Sequence, residues 1–230
     1  MKGRLIGALW IIAALAIGYF VWEGALFSAL LFFCLLMALG EIVAITDYNP
    51  WRMRPYVGKL KQIHLLQAIV LGIAMINVWF LGRDELTLII IVCVLSDVGA
   101  FTVGKTIGQH KVRFLRQVSP NKTWEGYIGG IIFALFAVPL APALFGIDLS
   151  PINLGFILCG GLVAELGDLL GSACKRRLGV KDSNEELINY PFFRILEYSV
   201  KGHGGYLDRV DSLALGLVVY AIIKYVASLC

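Results

Sequence analysis

Apolar residues run through this chain in long blocks, and the connections between blocks alternate between nearly uncharged and strongly basic. A helix crossing a hydrocarbon core of roughly 30 Å needs about 20 mostly apolar residues. The pattern predicts about seven such helices, at residues 5–22, 25–45, 65–82, 86–104, 126–146, 152–172 and 206–228. The first follows Lys2 and Arg4, as a secretory leader would, but it is long for a leader and further spans follow. It is therefore read as a retained helix. Pro139 and Pro142 fall inside the fifth segment and predict a kink there. The expected fold class is all-α: a single polytopic membrane domain over residues 1–230, without a detachable soluble module.

Composition agrees, since 59% hydrophobic residues and a mean hydropathy of +0.80 exclude an ordinary soluble domain. Charge then sets the direction of threading. Of the 20 basic residues, all but Arg83 and Lys224 fall at the N-terminus or on three alternate connections, near 46–64, 105–125 and 173–205. The positive-inside rule puts those segments in the cytoplasm and the C-terminus outside, as expected for a multi-pass protein of the cell (inner) membrane. Basic loops also attract anionic headgroups and nucleotide phosphates, and no nucleic-acid partner is expected. The five cysteines form no Cys-x-x-Cys pair, which argues against both a disulfide framework and a zinc site.

Acids within spans are costly and usually face a cavity or a partner. Here they are Glu41, Asp97, Glu165 and Asp168, with Asp208 and Asp211 opening the last helix. With the orientation above, each lies in the cytoplasmic half of its helix, which implies a polar cavity facing the cytoplasm. Glu41 is set apart from these, as an isolated carboxylate snorkelling toward the surface. Asp168, Ser172 and Lys175 share a helical face, as do Asp208 and Asp211. If the two helices pack, three carboxylates converge. Either a cation stands among them, with magnesium favoured by an all-oxygen donor set, or they pair internally with Lys175, Arg176 or Arg209. The turn Gly202-His203-Gly204-Gly205, just ahead of the last helix, could present backbone N–H groups to an anion.

Gly99–Thr106 reads GAFTVGKT and fits the Walker A pattern, but that motif needs a strand before it and a helix after it. Here it ends an apolar run of spanning length and is read as the end of the fourth helix. The same stretch continues as SDVGAFTVGKTIGQHK, then SPNKTWEG (119–126), GDLLGSACKRRLGVKDS and GHGGYLDRVDS. In order, these contain Ser172-x-x-Lys175-Arg176, Lys181-Asp182 and His203-Gly204-Gly205-x-x-Asp208-Arg209-x-Asp211. This conjunction, spanning about residues 97–212, resembles the phosphatidate cytidylyltransferase (CDP-diacylglycerol synthase) family. The chain departs from the family pattern in an amphipathic insert at about 184–201 and in Lys201 where a proline is usual before the glycine turn.

The resemblance implies a multi-span enzyme that makes CDP-diacylglycerol and pyrophosphate from CTP and phosphatidic acid with Mg2+. Under it, Asp168, Asp208 and Asp211 hold the metal. Lys175, Arg176 and Arg209 bind phosphate oxygens, and Ser172 adds a hydrogen bond. His203, Gly204 and Gly205 hold CTP or pyrophosphate, while Asp97, Lys122 and Lys181 are further substrate-binding candidates. Membrane lipids are expected partners, and homodimerisation stays open. The alternatives are a CTP-dependent lipid kinase of the polyprenol or phytol type, a paralogue acting on another lipid phosphate, and a transporter or inactive scaffold in which the acids coordinate a coupling ion.

Overall fold

The structure, a computed structural model, describes residues 24–48, 62–115, 117–180 and 206–229. The described residues form helices α1 (Gly24–Tyr48), α2 (Ile63–Phe80), α3 (Arg83–Thr106), α4 (Trp124–Ala134), α5 (Ala137–Phe145), α6 (Pro151–Leu178) and α7 (Leu207–Ser228), with a short 3-10 turn at Arg113–Leu115. They contain no strand beyond a single bridge between Lys111 and Thr123. The expected all-α class holds. Five segments are long and apolar enough to cross a membrane: Ile63–Phe80, Arg83–Thr106, Trp124–Phe145, Pro151–Leu178 and Val210–Ser228. Of the other two expected spans, 25–45 is α1, whose apolar stretch Phe27–Val43 is shorter. Residues 5–22 lie outside the described residues.

Local chemistry sets the helix ends. Ser150 accepts a hydrogen bond from Asn153 N–H, Pro151 opens α6, and Gly179, at φ +82°, closes it. Thr123 caps α4 by accepting from Gly126 N–H. The kink expected from the prolines is a break between α4 and α5, at Leu135–Phe136. Pro139 has no N–H to give the Leu135 carbonyl, and its ring crowds that carbonyl, so the ladder fails one turn upstream. The GAFTVGKT segment is helical and ends α3, as expected, and so is no phosphate loop.

Without a hydrophobic driving force between helices in lipid, close packing depends on small residues that let backbones approach. A Cβ on Gly99 would lie 2.4 Å from the Phe133 Cβ, and one on Gly129 2.5 Å from Val103, which locks α3 against α4. On α6, a Cβ at Gly167 would lie 2.7 Å from the Asp211 carbonyl, and one at Gly171 2.5 Å from the Asp211 carboxylate. These contacts bring the acids of α6 and α7 to one level. Buried Leu71, Val78, Leu86, Ile89, Phe156, Leu217 and Tyr220 complete the core between helices.

Candidate active site

A cavity of about 450 Å³ opens between the C-terminal halves of α3 and α6 and the N-terminal ends of α4 and α7. Its wall includes five carboxylates, Asp97, Glu165, Asp168, Asp208 and Asp211, against two lysines, Lys105 and Lys122. Of the expected site residues, Asp97, Lys122, Asp168, Asp208 and Asp211 therefore share one cavity. Lys175 is buried beside it, with its ammonium paired to Asp208 and 3.9 Å from Asp211 Oδ2. Ser172 and Arg176 do not line it. Ser172 is on the expected helical face, and the Arg176 guanidinium donates to the Val180 carbonyl at the end of its own helix, 3.0 Å away. Lys181, His203, Gly204, Gly205 and the insert at 184–201 lie outside the described residues, as does the Arg209 side chain.

Lys122 is delivered by the connection between α3 and α4. That segment closes on itself through Val112 N–H to the Lys122 carbonyl (3.1 Å) and Trp124 N–H to the His110 carbonyl (2.9 Å). Glu125 tightens the closure by accepting from His110 N–H while contacting the His110 ring. The Lys122 ammonium then reaches Glu165 Oε2 at 2.7 Å and Asp168 Oδ2 at 2.5 Å. Burial disfavours that ammonium, but Asp168 and Glu165 outweigh it and hold the pKa of Lys122 above the ordinary lysine value. It stays charged throughout the neutral range.

Among the described residues, two buried carboxylate oxygens, Glu165 Oε1 and Asp211 Oδ2, have no hydrogen-bond partner. Asp211 Oδ1 accepts from Ser212 N–H, and the Ser212 hydroxyl stands 3.5 Å from Asp97 Oδ2. Among the described residues the acids lining the space outnumber the bases, a balance that favours entry of a polyphosphate together with cations. The donors lining the space are all oxygen and rich in carboxylates, the kind of set magnesium takes. In this arrangement the lysines stand between the acids. Among the described residues no three His, Cys, Asp or Glu side chains converge at ligand distance.

Glu165, Ala100, Phe101, Gly104, Lys105, Asn121, Thr123 and Gly126 line the cavity without having been chosen as site residues. For Glu165 a signal existed, since it lies three residues before Asp168 and so on the same helical face. The end of α3 belongs to the stretch SDVGAFTVGKTIGQHK that carries the resemblance, though of its residues only Asp97 is an expected site residue. Glu41 departs from expectation altogether. It is 1% exposed, and its carboxylate accepts from the backbone N–H groups of Tyr206 and Leu207.

Fold and site define a multi-pass helical membrane protein with a carboxylate-rich, lysine-bridged cavity at one end of its bundle. The model of the cytidylyltransferase family matches residues 63–227, and the chain belongs to that family. It is 43% identical over 132 residues to the phosphatidate cytidylyltransferase of Staphylococcus aureus (strain COL), covering 56% of this chain and 44% of that protein. To the Staphylococcus haemolyticus (strain JCSC1435) protein of the same name it is 36% identical over 166 residues, covering 69% and 57%. The Staphylococcus epidermidis (strain ATCC 12228) protein gives 40% over 133 residues, covering 56% and 44%. The chain thus spans about half the length of the curated relatives it matches.

Proposed function

We propose that this chain transfers the cytidylyl group of CTP to phosphatidic acid, giving CDP-diacylglycerol and pyrophosphate. The observation that carries this reading is the meeting of Asp168, Asp208 and Asp211, from two separate motif segments, in one cavity with Lys122 from a third. Relatives named phosphatidate cytidylyltransferase share the family, and the cavity's chemistry suits a polyphosphate brought in with cations.

A phosphate monoester is already a nucleophile at neutral pH, so the reaction needs positioning and charge neutralisation rather than a base. An oxygen of the lipid phosphate attacks the α-phosphorus of CTP. The new P–O bond forms as the bond to the β-phosphate oxygen breaks, and pyrophosphate leaves with the electron pair. Lys122 and Lys175 would release part of their hold on the acids and neutralise phosphate oxygens. Asp168, Asp208 and Asp211 would hold magnesium, which neutralises the triphosphate and stabilises the leaving group when bound. Ala100 and Phe101 give the wall an apolar strip, suited to a substrate whose tails stay in the bilayer. The basic connections favour a cytoplasmic position for this end of the bundle, where CTP is available.

The test is the purified chain in detergent with magnesium, phosphatidic acid and CTP labelled at the α-phosphate. Label in a lipid product together with released pyrophosphate supports the reading. CDP with a phosphorylated lipid alcohol would make the chain a kinase, and unconsumed CTP across a panel of lipid phosphates would end the proposal.

A further inference from the structure

The first turn of α7 carries Asp208 and is followed at once by Asp211, yet Tyr206, the residue just before the helix, makes no side-chain cap. The leading N–H groups of a helix have no carbonyl within the helix to bond. Here a different helix supplies the acceptor. Glu41, far along α1, accepts from Tyr206 N–H through Oε1 at 2.8 Å and from Leu207 N–H through Oε2 at 2.9 Å. The carboxylate is 1% exposed, and α1 packs along α7 through a core that includes Leu35, Ala38 and Leu207. Glu41 lies outside the family-matched residues 63–227 and does not line the cavity.

We propose that Glu41 is a positioning residue for the catalytic helix: by gripping two successive N–H groups it sets the height and rotation at which α7 presents Asp208 and Asp211. Two bonds to adjacent amides constrain rotation, as one would not. Each residue advances a helix by about 100°, so a slip of one residue at the first turn carries Asp211 away from the cavity. The contact to Leu207 N–H is one residue before Asp208 and four before Asp211, too close for such a slip to be absorbed. A carboxylate suits the place because it faces the positive end of the helix dipole. A side chain reaching across from a neighbouring helix also ties α1 to the site, which a local cap could not do.

The inference rests on the proposed function for its catalytic readout, so the test adds a measurement independent of activity. Hydrogen exchange by mass spectrometry of the full chain in detergent is followed for peptides covering 206–213 in wild type, Glu41→Gln and Glu41→Ala. In parallel, kcat, KM for CTP and the magnesium concentration giving half-maximal rate are measured per folded molecule. Expected is faster exchange at the start of α7 in Glu41→Ala and a loss of about 30-fold in kcat/KM, with more magnesium needed. Glu41→Gln keeps one acceptor oxygen and should lose only about threefold. Unchanged exchange in Glu41→Ala overturns the proposal. Faster exchange with catalysis and magnesium dependence within twofold of wild type also overturns it, leaving a purely structural cap. A wild type that transfers no cytidylyl group sinks the proposed function instead, and the exchange measurement still decides whether Glu41 holds the helix.

Discussion

Replacing Lys122 with methionine removes the ammonium between Glu165 and Asp168 while keeping most of the side-chain volume. The Lys122–Glu165 contact is 2.7 Å long. At an effective dielectric of about 20, that corresponds to about 6 kcal/mol of direct attraction, much of it offset by desolvation of both charges. The larger effect comes from what is left behind. The Glu165 side chain is only 2% exposed, its Oε1 has no hydrogen-bond partner among the described residues, and it packs so close to α4 that a Cβ on Gly130 would lie 2.7 Å from that oxygen. It cannot turn out to water. Removing one partner of a buried pair costs about 3–5 kcal/mol. Because the Lys122 side chain is 19% exposed and that of Asp168 33%, the lower end, about 3 kcal/mol, is expected. Unfolding in mixed detergent micelles measures it, and the decisive comparison is the double variant Lys122→Met/Glu165→Gln. Neutralising the stranded acid should return about 2 kcal/mol while leaving cytidylyl transfer lost, since Lys122 is also assigned to the phosphates. A Lys122→Met protein as stable as wild type, or a double variant no more stable than the single, refutes the account.

Gly171→Ala places a methyl 2.5 Å from the Asp211 carboxylate; it should cost about 1–3 kcal/mol and at least tenfold in rate, as judged by unfolding and product formation. Gly155→Ala on the same helix meets nothing within 4 Å and serves as the neutral control. Asp208→Asn and Asp211→Asn should each reduce turnover about 100-fold or more with the fold retained, as judged by gel filtration and circular dichroism. Chelation with EDTA should abolish turnover and added magnesium should restore it, whereas turnover in its absence would remove the metal from the proposal. Glu85→Ala loses both the Gly82 N–H contact and the Lys224 pair at the opposite end of the bundle, and should cost about 1–2 kcal/mol in unfolding without altering KM.

Much of the fold was legible from the chain alone because hydropathy and capping are local. Apolar runs of spanning length predicted the five spanning segments to within a few residues at most ends. Pro139 announced the break after α4, and the false Walker motif was recognisable from the apolar run that precedes it. The acids of the site were legible too, since carboxylates inside apolar helices have few other reasons to be there. What a one-dimensional pattern cannot carry is which side chains from different helices meet. Ser172 lies on the proper face by spacing yet does not line the cavity, and Arg176 donates to the carbonyl of Val180 at its own helix end. Whether acids converge on a cation or pair with lysines was open on spacing; in this arrangement Lys122 and Lys175 stand between them, placed by a folded connection and by helix contact. Glu41 shows the limit most plainly: as sequence it is a lone acid in an apolar helix. Only the approach of α1 to the start of α7 makes it a cap, because the amide groups it satisfies lie 165 and 166 residues away along the chain.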